Sequence, residues 1–395
     1  MKQNILSICA VILCLLMLTG CTLPEDQRFV NPTEYVPWEP TEPAATEETK
    51  PQPKPTEAPV KLTAAQIAAE LSDEQLIAQL FLVKCPYGGA QELLDAHHVG
   101  GVILCDQDID GETPESLKAE LTDYHSRVPI PLLVAVDEEG GTINRISSHS
   151  AFRKEAFRSP HDLYYEGGLK LLRETEAEKA QLLRRVGINV NLSPVCDVVT
   201  KDDAYMADRS LFQTAKTTGE AVAAMVKSMQ QNGVGAVLKH FPGFGDLPGD
   251  DHTGKVVDNV RSPEHLRAYD YVPFQKGIEA GAGAVMVGHC LVTKLDPAAP
   301  ASLSEKVIRI LRSDFGFKGV IMTDDLTQPI IGEYFDEGEA AVQAILAGCD
   351  MIVTSWSDVQ YDAIVQALED GRLTRARLQE SVVRIIQWKM DLGLL

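Results

Sequence analysis

Short, continuously apolar runs alternate with longer mixed segments from Ala64 to the end of the chain. Each run has the length of a strand, and most of the segments between runs are long enough for a helix. Strands of this kind, separated by helices, are typical of a parallel sheet covered on both faces. Eight of them predict an α/β fold, a (β/α)8 TIM-type barrel. A doubly wound open sheet is the alternative, disfavoured because no glycine-rich dinucleotide fingerprint follows an early strand. The predicted strands are 79–84, 101–105, 132–137, 188–192, 236–240, 284–288, 319–323 and 351–354.

Helix boundaries are signalled at three points along the same region. Ser72-Asp73-Glu74-Gln75 is a capping-box pattern and predicts that the first helix of the domain begins directly after Ser72. Ser262-Pro263-Glu264 predicts the start of a single helix that runs toward Gly281. A last helix over 374–390 follows the eighth strand. Together these elements predict a single folded domain over residues 61–395.

Residues 1–20 have the pattern of a signal peptide. Lys2 supplies the positive charge, and the apolar run over 5–18 is too short to span a bilayer comfortably. The run ends in Leu18-Thr19-Gly20-Cys21, which resembles the lipobox of bacterial lipoproteins. That resemblance implies cleavage before Cys21, lipidation of its thiol, and an extracytoplasmic protein anchored to the outer face of the cytoplasmic membrane. An uncleaved anchor helix and an ordinary signal peptide are the alternatives.

Residues 21–60 have the composition of a disordered linker. Positions 22–60 hold nine of the 22 prolines of the chain, interleaved with Thr and Glu and without apolar periodicity. Such a segment cannot bury enough apolar surface to fold, and its prolines favour an extended conformation. We therefore expect a spacer between the lipidated cysteine and the folded domain.

The net charge and the cysteine spacing exclude some classes of function. The 395 residues carry a formal net charge of −21, with a pI near 4.8. Because a phosphate backbone requires a basic surface, this composition excludes a nucleic-acid partner. The cysteines of the predicted domain have no zinc-type spacing, so we interpret them as buried thiols, with one disulfide pair as the alternative. They are Cys85, Cys105, Cys196, Cys290 and Cys349.

Charged residues directly follow several of the predicted strands. Asp137-Glu138-Glu139 ends the third strand, Lys239-His240 the fifth and Asp324-Asp325 the seventh, while His289 follows the sixth. In a barrel, the carboxyl ends of the strands meet at one face, where active sites lie. A charge run is usually a solvated surface, but charges that follow several buried strands are expected to converge.

These residues belong to longer motifs that resemble bacterial β-N-acetylhexosaminidases of glycoside hydrolase family 3. The most specific stretch is Lys239-His240-Phe241-Pro242-Gly243-Phe244-Gly245-Asp246, followed by Asp250-Asp251-His252. The resemblance covers residues 64–395, in the order of the family. Phe244, Asp251, Thr142 and Gln328-Pro329 depart from the residues usual in relatives. The other matching segments are 136–141, 191–197, 208–210, 286–289 and 315–326.

The resemblance implies a retaining exo-β-N-acetylglucosaminidase that uses neither a cofactor nor a metal ion. Asp324 occupies the position of the nucleophile, with its neighbour Asp325 as the alternative carboxylate. His252 is the implied acid/base residue, paired with Asp250 two positions earlier. A carboxylate bound to one ring nitrogen fixes the histidine tautomer and keeps the other nitrogen available for proton transfer. The implied substrate is a peptidoglycan fragment with a terminal β-linked N-acetylglucosamine.

The same resemblance implies five residues that hold the terminal sugar. Charged groups on short turns after strands suit sugar hydroxyls, because charge-assisted hydrogen bonds are directional and strong. For one pair, Asp137 and Arg145, the alternative is a purely structural ion pair. The five implied residues are Asp137, Arg145, Arg209, Lys239 and His240.

Four other functions remain as alternatives. The first is phosphorolysis on the same scaffold, and the second is a family 3 β-glucosidase, which normally draws its acid from a further domain that we do not expect here. The third is metal-dependent hydrolysis by His240, Asp246, Asp250 and His252, although their glycine-rich loop is less rigid than metal ligands require. The fourth is a non-catalytic lipoprotein that binds the cell wall.

Overall fold

The computed structural model describes residues 62–248 and 258–395. The predicted signal peptide, Cys21 and the predicted linker lie outside the described residues. So do Asp250 and His252, the two predicted acid/base residues.

Eight parallel strands close into a barrel, and this confirms the predicted fold class. Their order around the barrel is β1-β10-β9-β8-β7-β6-β3-β2, and the two short strands β4 and β5 form a separate antiparallel pair. All eight predicted strands are present, with ends that differ from the prediction by three residues or fewer. The strands are β1 Phe81–Lys84, β2 Gly101–Leu104, β3 Leu133–Val136, β4 Glu138–Gly140, β5 Ile143–Asn144, β6 Val190–Asn191, β7 Gly235–Phe241, β8 Ala284–Val287, β9 Val320–Asp325 and β10 Met351–Ser355.

Helices follow most barrel strands and cover the outside of the sheet. The predicted capping box is present: Gln75 N–H donates to Ser72 Oγ, and Ser72 N–H donates to Gln75 Oε1. It starts the second helix and not the first, because a further short helix over Ala64–Glu70 precedes it. None of the described helices is both long and apolar enough to cross a membrane. The helices are α1 Ala64–Glu70, α2 Asp73–Gln79, α3 Gln91–His97, α4 Pro114–Ser126, α5 Pro160–Val186, α6 Ala215–Gln231, α7 Pro263–Ala268, α8 Tyr271–Glu279, α9 Glu305–Ser313, α10 Pro329–Gly332, α11 Glu337–Ala347, α12 Asp358–Glu369 and α13 Arg375–Asp391.

The prediction of a single helix from Ser262 toward Gly281 was wrong, because the structure has two helices there. Helix α7 ends before Tyr269, whose backbone leaves the helical region, and α8 begins at Tyr271. Pro273 explains the break. Proline has no N–H to donate to the carbonyl of Tyr269, and its ring would clash with that carbonyl in a continuous helix.

Apolar side chains from the strands and the surrounding helices form one continuous core. Leu82, Val134, Val237 and Ile321, from four different strands, are completely buried. Four of the five cysteines of the described region are buried in or beside this core, and no disulfide joins any two of the five. The apolar barrel therefore gives rigid support to the polar residues at its carboxyl end.

Candidate active site

A cavity of about 210 Å³ opens at the carboxyl end of the barrel. Strands β3, β7 and β9, or the turns after them, supply most of its charged lining. Every described residue that the sequence assigned to the sugar or to the nucleophile lines this one cavity. These residues are Asp137, Arg145, Arg209, Lys239, His240 and Asp324.

Buried ion pairs fix one wall of the cavity. Lys239 Nζ lies 2.5 Å from Asp137 Oδ1 and 2.6 Å from Glu139 Oε1. Arg209 binds both oxygens of Glu139, with Nε donating to Oε2 at 2.9 Å and Nη2 to Oε1 at 2.6 Å. Only 3% of the side-chain surface is exposed in Glu139 and in Lys239. The pairing therefore holds these side chains in place before any ligand binds.

The opposite charges of this wall stabilise one another's ionised forms. Burial would raise the pKa of Glu139, but the charges of Lys239 and Arg209 outweigh burial and hold that pKa well below its ordinary value. Burial would likewise lower the pKa of Lys239, yet Asp137 and Glu139 raise it overall. The pKa of Arg209 is also raised, because Glu139 outweighs its burial. All three groups are therefore charged at neutral pH.

His240 is held in one orientation by a buried carboxylate. Its Nδ1 lies 3.0 Å from Oδ2 of Asp197, whose other oxygen accepts a hydrogen bond from Phe244 N–H at 2.7 Å. The carboxylate favours a proton on Nδ1, which leaves Nε2 as the acceptor in the neutral ring. Nε2 lies 3.4 Å from Arg209 Nη2, and the ring lines the cavity. A ligand hydroxyl can therefore donate to Nε2 only by replacing this long contact with Arg209.

Asp324 and Asp325 have different surroundings at the end of β9. The carboxylate of Asp325 forms an ion pair with Lys84 and accepts hydrogen bonds from both N–H and Oγ1 of Thr327. Burial would lower the pKa of Lys84, but the charge of Asp325 raises it overall. Asp324 is half-buried on the cavity wall, and its Oδ1 accepts a hydrogen bond from Asp325 N–H at 2.8 Å. Asp325 is therefore committed to holding the turn, and both carboxylates line the cavity.

Arg145 is positioned through its backbone. Glu138, completely buried, accepts hydrogen bonds from the N–H groups of Arg145, Ile146 and Ser147 at 2.8, 2.7 and 3.2 Å. Among the described residues Arg145 forms no ion pair with Asp137, which pairs with Lys239 instead. The alternative of a structural Asp137–Arg145 pair was therefore wrong. The guanidinium is left on the cavity wall, available to a ligand.

The sequence did not identify three residues that organise the cavity. Glu139 is 70 positions from Arg209, and Asp197 is 43 positions from His240. Both lie in motifs that the sequence singled out, but a motif does not show which distant side chain its members contact. Lys84 is the last residue of the first strand, and its position at the end of an apolar run was the only available signal.

Of the four residues suggested for a metal site, Asp250 and His252 lie outside the described residues, so the structure places only His240 and Asp246. Asp246 accepts hydrogen bonds from Thr200 N–H at 2.6 Å and from Lys201 N–H at 3.2 Å. It therefore ties two loops together and does not line the cavity with His240. Within residues 62–248 and 258–395, no three His, Cys, Asp or Glu side chains are grouped to hold a metal ion.

Comparison with known proteins places the chain in a family. Residues 73–388 match the family described as "Glycosyl hydrolase family 3 N terminal domain". The chain belongs to glycoside hydrolase family 3. It is therefore a glycoside hydrolase, and the cavity at the carboxyl end of its barrel is the candidate active site.

Individual relatives of this family 3 chain cover most of its length. It is 31% identical over 349 residues to "Beta-hexosaminidase LpqI" of Mycobacterium tuberculosis, which spans 85% of this chain and 88% of that protein. The solved structure of M. tuberculosis LpqI has a TM-score of 0.76 at 30% identity, covering 83% of this chain and 96% of that one. A family 3 β-N-acetylglucosaminidase from Paenibacillus has a TM-score of 0.76 at 29% identity. That match covers 82% of this chain but only 63% of the Paenibacillus protein.

Proposed function

We propose that this enzyme is a retaining exo-β-N-acetylglucosaminidase that removes terminal N-acetylglucosamine from peptidoglycan fragments. The observation that carries the proposal is the single cavity in which Asp324 faces a preorganised set of charged side chains. The names of its relatives, beta-hexosaminidase and β-N-acetylglucosaminidase, support the same sugar. Retention follows from a carboxylate that acts as a nucleophile rather than through water.

The reaction proceeds in two displacements at the anomeric carbon. Asp324 attacks that carbon while the bond to the leaving oxygen breaks, and His252 gives its proton to that oxygen. The glycosyl group is then bound covalently to Asp324. In the second step His252 takes a proton from water, whose oxygen displaces Asp324 and releases the sugar. Asp250 holds the imidazole of His252 in the tautomer that these transfers need.

The buried wall of the cavity holds the terminal sugar. Its hydroxyl groups find both donors and acceptors in Asp137, Lys239, Arg209 and His240. The Arg145 guanidinium adds a further cation on the cavity wall. Because the ion pairs already fix these side chains, binding the sugar costs little side-chain entropy. Hydrogen bonds to charged groups are also stronger than those between neutral groups.

The proposal places the enzyme outside the cytoplasm, anchored by a lipid on Cys21. The lipobox resemblance and the proline-rich composition of residues 21–60 support this location. Cys21→Ala should release active enzyme from the membrane fraction or block processing of the precursor. Continued membrane association of a correctly cleaved Cys21→Ala protein would contradict the anchor.

One assay separates this function from the alternatives. Purified enzyme is incubated with 4-nitrophenyl N-acetyl-β-glucosaminide, with and without phosphate and a chelator, and with muropeptides whose products are weighed by mass spectrometry. We expect nitrophenol and free N-acetylglucosamine, unaffected by either addition, and loss of one N-acetylglucosamine from the muropeptides. A sugar phosphate would indicate a phosphorylase, loss of activity with chelator a metal-dependent hydrolase, and no release a binding protein.

The role of His252 has its own test. With an activated aryl leaving group no proton is needed for departure, so His252→Ala should still form the covalent adduct on Asp324. Its second step should be about 10²- to 10⁴-fold slower, because water loses its general base. A burst of nitrophenol, an adduct by mass spectrometry and rescue by azide are expected. Equal losses on aryl and natural substrates, without an adduct, would show that His252 is not the acid/base residue.

A further inference from the structure

His289 lies just beyond the end of β8, at the carboxyl end of the barrel. The sequence pattern counted it among the residues expected to converge there, but the proposed mechanism does not use it. Its side chain is completely buried, and it is not one of the described residues that line the active-site cavity. Any effect of His289 on the reaction therefore passes through a neighbouring residue.

Both ring nitrogens of His289 are engaged. Nε2 lies 2.9 Å from the backbone oxygen of Asp325, and Nδ1 lies 2.7 Å from Ser302 Oγ. Because a carbonyl oxygen can only accept, the proton of the neutral ring is on Nε2, and the Ser302 hydroxyl donates to Nδ1. Ser302 N–H also donates to the backbone oxygen of Gly288 at 3.1 Å. Ser302 therefore holds the ring in the tautomer that binds Asp325.

The register between β8 and β9 places His289 beside Asp325. The two strands are parallel neighbours, and Val287 lies opposite Thr323. The same register, carried two residues further, sets His289 against Asp325. The carbonyl of Asp325 also accepts a hydrogen bond from Gln328 N–H at 3.1 Å, but that contact is local to the turn. The imidazole therefore joins the turn after β9 to the neighbouring strand β8.

Asp325 is held at two points by residues from other strands. Lys84, at the end of β1, forms the ion pair with its carboxylate, while His289 binds its carbonyl oxygen. A residue bound at both its side chain and its carbonyl has little freedom to rotate. Its N–H therefore stays directed at Asp324 Oδ1, 2.8 Å away. In this way the orientation of the Asp324 carboxylate depends on His289 through one intervening residue.

We propose that His289 is a positioning residue for the nucleophile: by binding the carbonyl of Asp325 it fixes the N–H that orients the carboxylate of Asp324. This proposal rests on the proposed function, because it takes Asp324 to be the nucleophile. A displacement of about 1 Å in a reacting group can slow a reaction about 10²-fold. The side chains that hold the sugar are fixed by their own ion pairs, as between Lys239 and Glu139. Loss of the His289 contact should therefore slow the attack on the sugar without weakening sugar binding.

The test compares two amide replacements that differ by one methylene. In His289→Gln the amide nitrogen can reach the carbonyl of Asp325, whereas in His289→Asn the shorter side chain reaches only Ser302. For His289→Asn we expect kcat/KM on 4-nitrophenyl N-acetyl-β-glucosaminide to fall about 10- to 100-fold. The inhibition constant of free N-acetylglucosamine should stay within about twofold of the wild-type value, because it measures binding alone. His289→Gln should retain most of the wild-type kcat/KM.

Two further variants separate positioning from stability. Val285→Ala is the matched control, because Val285 is completely buried on β8 and is not one of the described residues that line the cavity. Its cavity should lower the melting temperature and leave kcat/KM near the wild-type value. Ser302→Ala keeps the imidazole but removes the hydroxyl that fixes its tautomer. We expect the same pattern as in His289→Asn with a smaller loss, and this variant decides the question if the His289 variants do not fold.

Azide distinguishes His289 from a residue that transfers protons. It should not restore turnover in His289→Asn, because the defect lies in the placement of the carboxylate, whereas rescue is expected for His252→Ala. Equal kcat/KM in the Asn and Gln variants would overturn the proposal. So would a parallel rise in the inhibition constant of N-acetylglucosamine, an equal kinetic loss in Val285→Ala, or rescue by azide. An inactive wild type, or an active Asp324→Asn, would instead contradict the proposed function.

Discussion

The two ends of the barrel each contain a buried carboxylate that is paired with two arginine or lysine side chains. At the carboxyl end Glu139 binds Lys239 and Arg209. At the amino end Asp350, directly before β10, binds Arg312 and Arg384. The chemistry of the two clusters is nearly the same, but their surroundings differ.

Asp350 is saturated by the protein. Besides its two arginines it accepts hydrogen bonds from Ile321 N–H and from Ser381 Oγ, both at 2.9 Å. The cluster thereby ties α9 and α13 to the sheet. At Glu139, by contrast, both cations also line the active-site cavity. A buried carboxylate with two cations can therefore either join structural elements or hold a binding surface. At the amino end of the barrel it joins elements, and at the carboxyl end it holds the surface of the cavity.

The largest effect is expected from Asp324→Asn at the carboxyl end of the barrel, which should abolish turnover without lowering stability. Without a carboxylate no glycosyl-enzyme can form, so turnover of every substrate should fall by at least about 10⁴-fold. The melting temperature should stay near that of the wild type, because Asp324 is only half-buried on the cavity wall. Steady-state rates and calorimetry measure the two quantities. If Asp325→Asn proved the more damaging to turnover, the assignment of the nucleophile would be wrong.

Lys239→Met should damage both binding and folding. The change leaves Asp137 and Glu139 facing each other without their shared cation, which should lower kcat/KM about 10²- to 10³-fold. Breaking a buried pair from one side typically destabilises by about 3–5 kcal/mol. Lys216→Met, at a position with 87% of the side chain exposed, is the matched control and should change neither property. An active, equally stable Lys239→Met enzyme would show that the wall is not needed.

Asp350→Asn should affect stability alone. Two arginines would lose their charged partner, at a cost of about 3–5 kcal/mol, while kcat and KM at 25 °C should stay close to the wild-type values. Denaturant unfolding and steady-state kinetics test this. Asp370→Asn, which disrupts an exposed pair with Arg372, is the control and should leave the unfolding midpoint unchanged. A kinetic defect as large as that of Lys239→Met would contradict the division between the two ends.

Asp270 offers the most pH-specific effect. Among the described residues, this buried carboxylate has one arginine partner, Arg261, at 2.8 Å, and His265 Nε2 lies 3.7 Å from its other oxygen. Burial raises its pKa to about 7, against the lowering by Arg261. The folded protein therefore keeps a proton on Asp270 that the unfolded chain releases above its much lower ordinary pKa. By linkage, this group makes stability fall as the pH rises from about 4 to 7.

Replacing Asp270 by asparagine should remove the contribution of its carboxyl group to the pH dependence of stability. Between pH 4 and 7, the melting temperature of Asp270→Asn relative to the wild type should rise steadily. The comparison is made in the same buffers, so the opposite contributions of carboxylates such as Glu139 cancel. A constant difference between the two proteins across this range would show that Asp270 does not titrate there.

The sequence predicted the barrel because eight continuously apolar runs alternate with helix-length segments, and it predicted the active site because charged residues such as Asp137 and Asp324 end several of those runs. Local patterns of this kind are sufficient to place elements and to indicate which ends of strands carry polar groups. They were insufficient where partners are distant in the chain: Arg209 was assigned to the sugar, but its bidentate pair with Glu139 was not foreseen. The break between α7 and α8 was available in principle from Pro273, whose position we did not weigh against the helical pattern.

Glu138 has a consequence for how the specificity of this enzyme could change during evolution or in the laboratory. It recognises the turn at residues 145–147 through backbone N–H groups, which every residue except proline possesses. Ile146 is buried and Ser147 contributes its hydroxyl to the same carboxylate, so those two positions are constrained. Position 145 is not constrained in this way, because Glu138 binds its backbone N–H whichever residue other than proline stands there. A saturation library at position 145 should therefore yield mostly folded enzymes that differ in the sugars they accept.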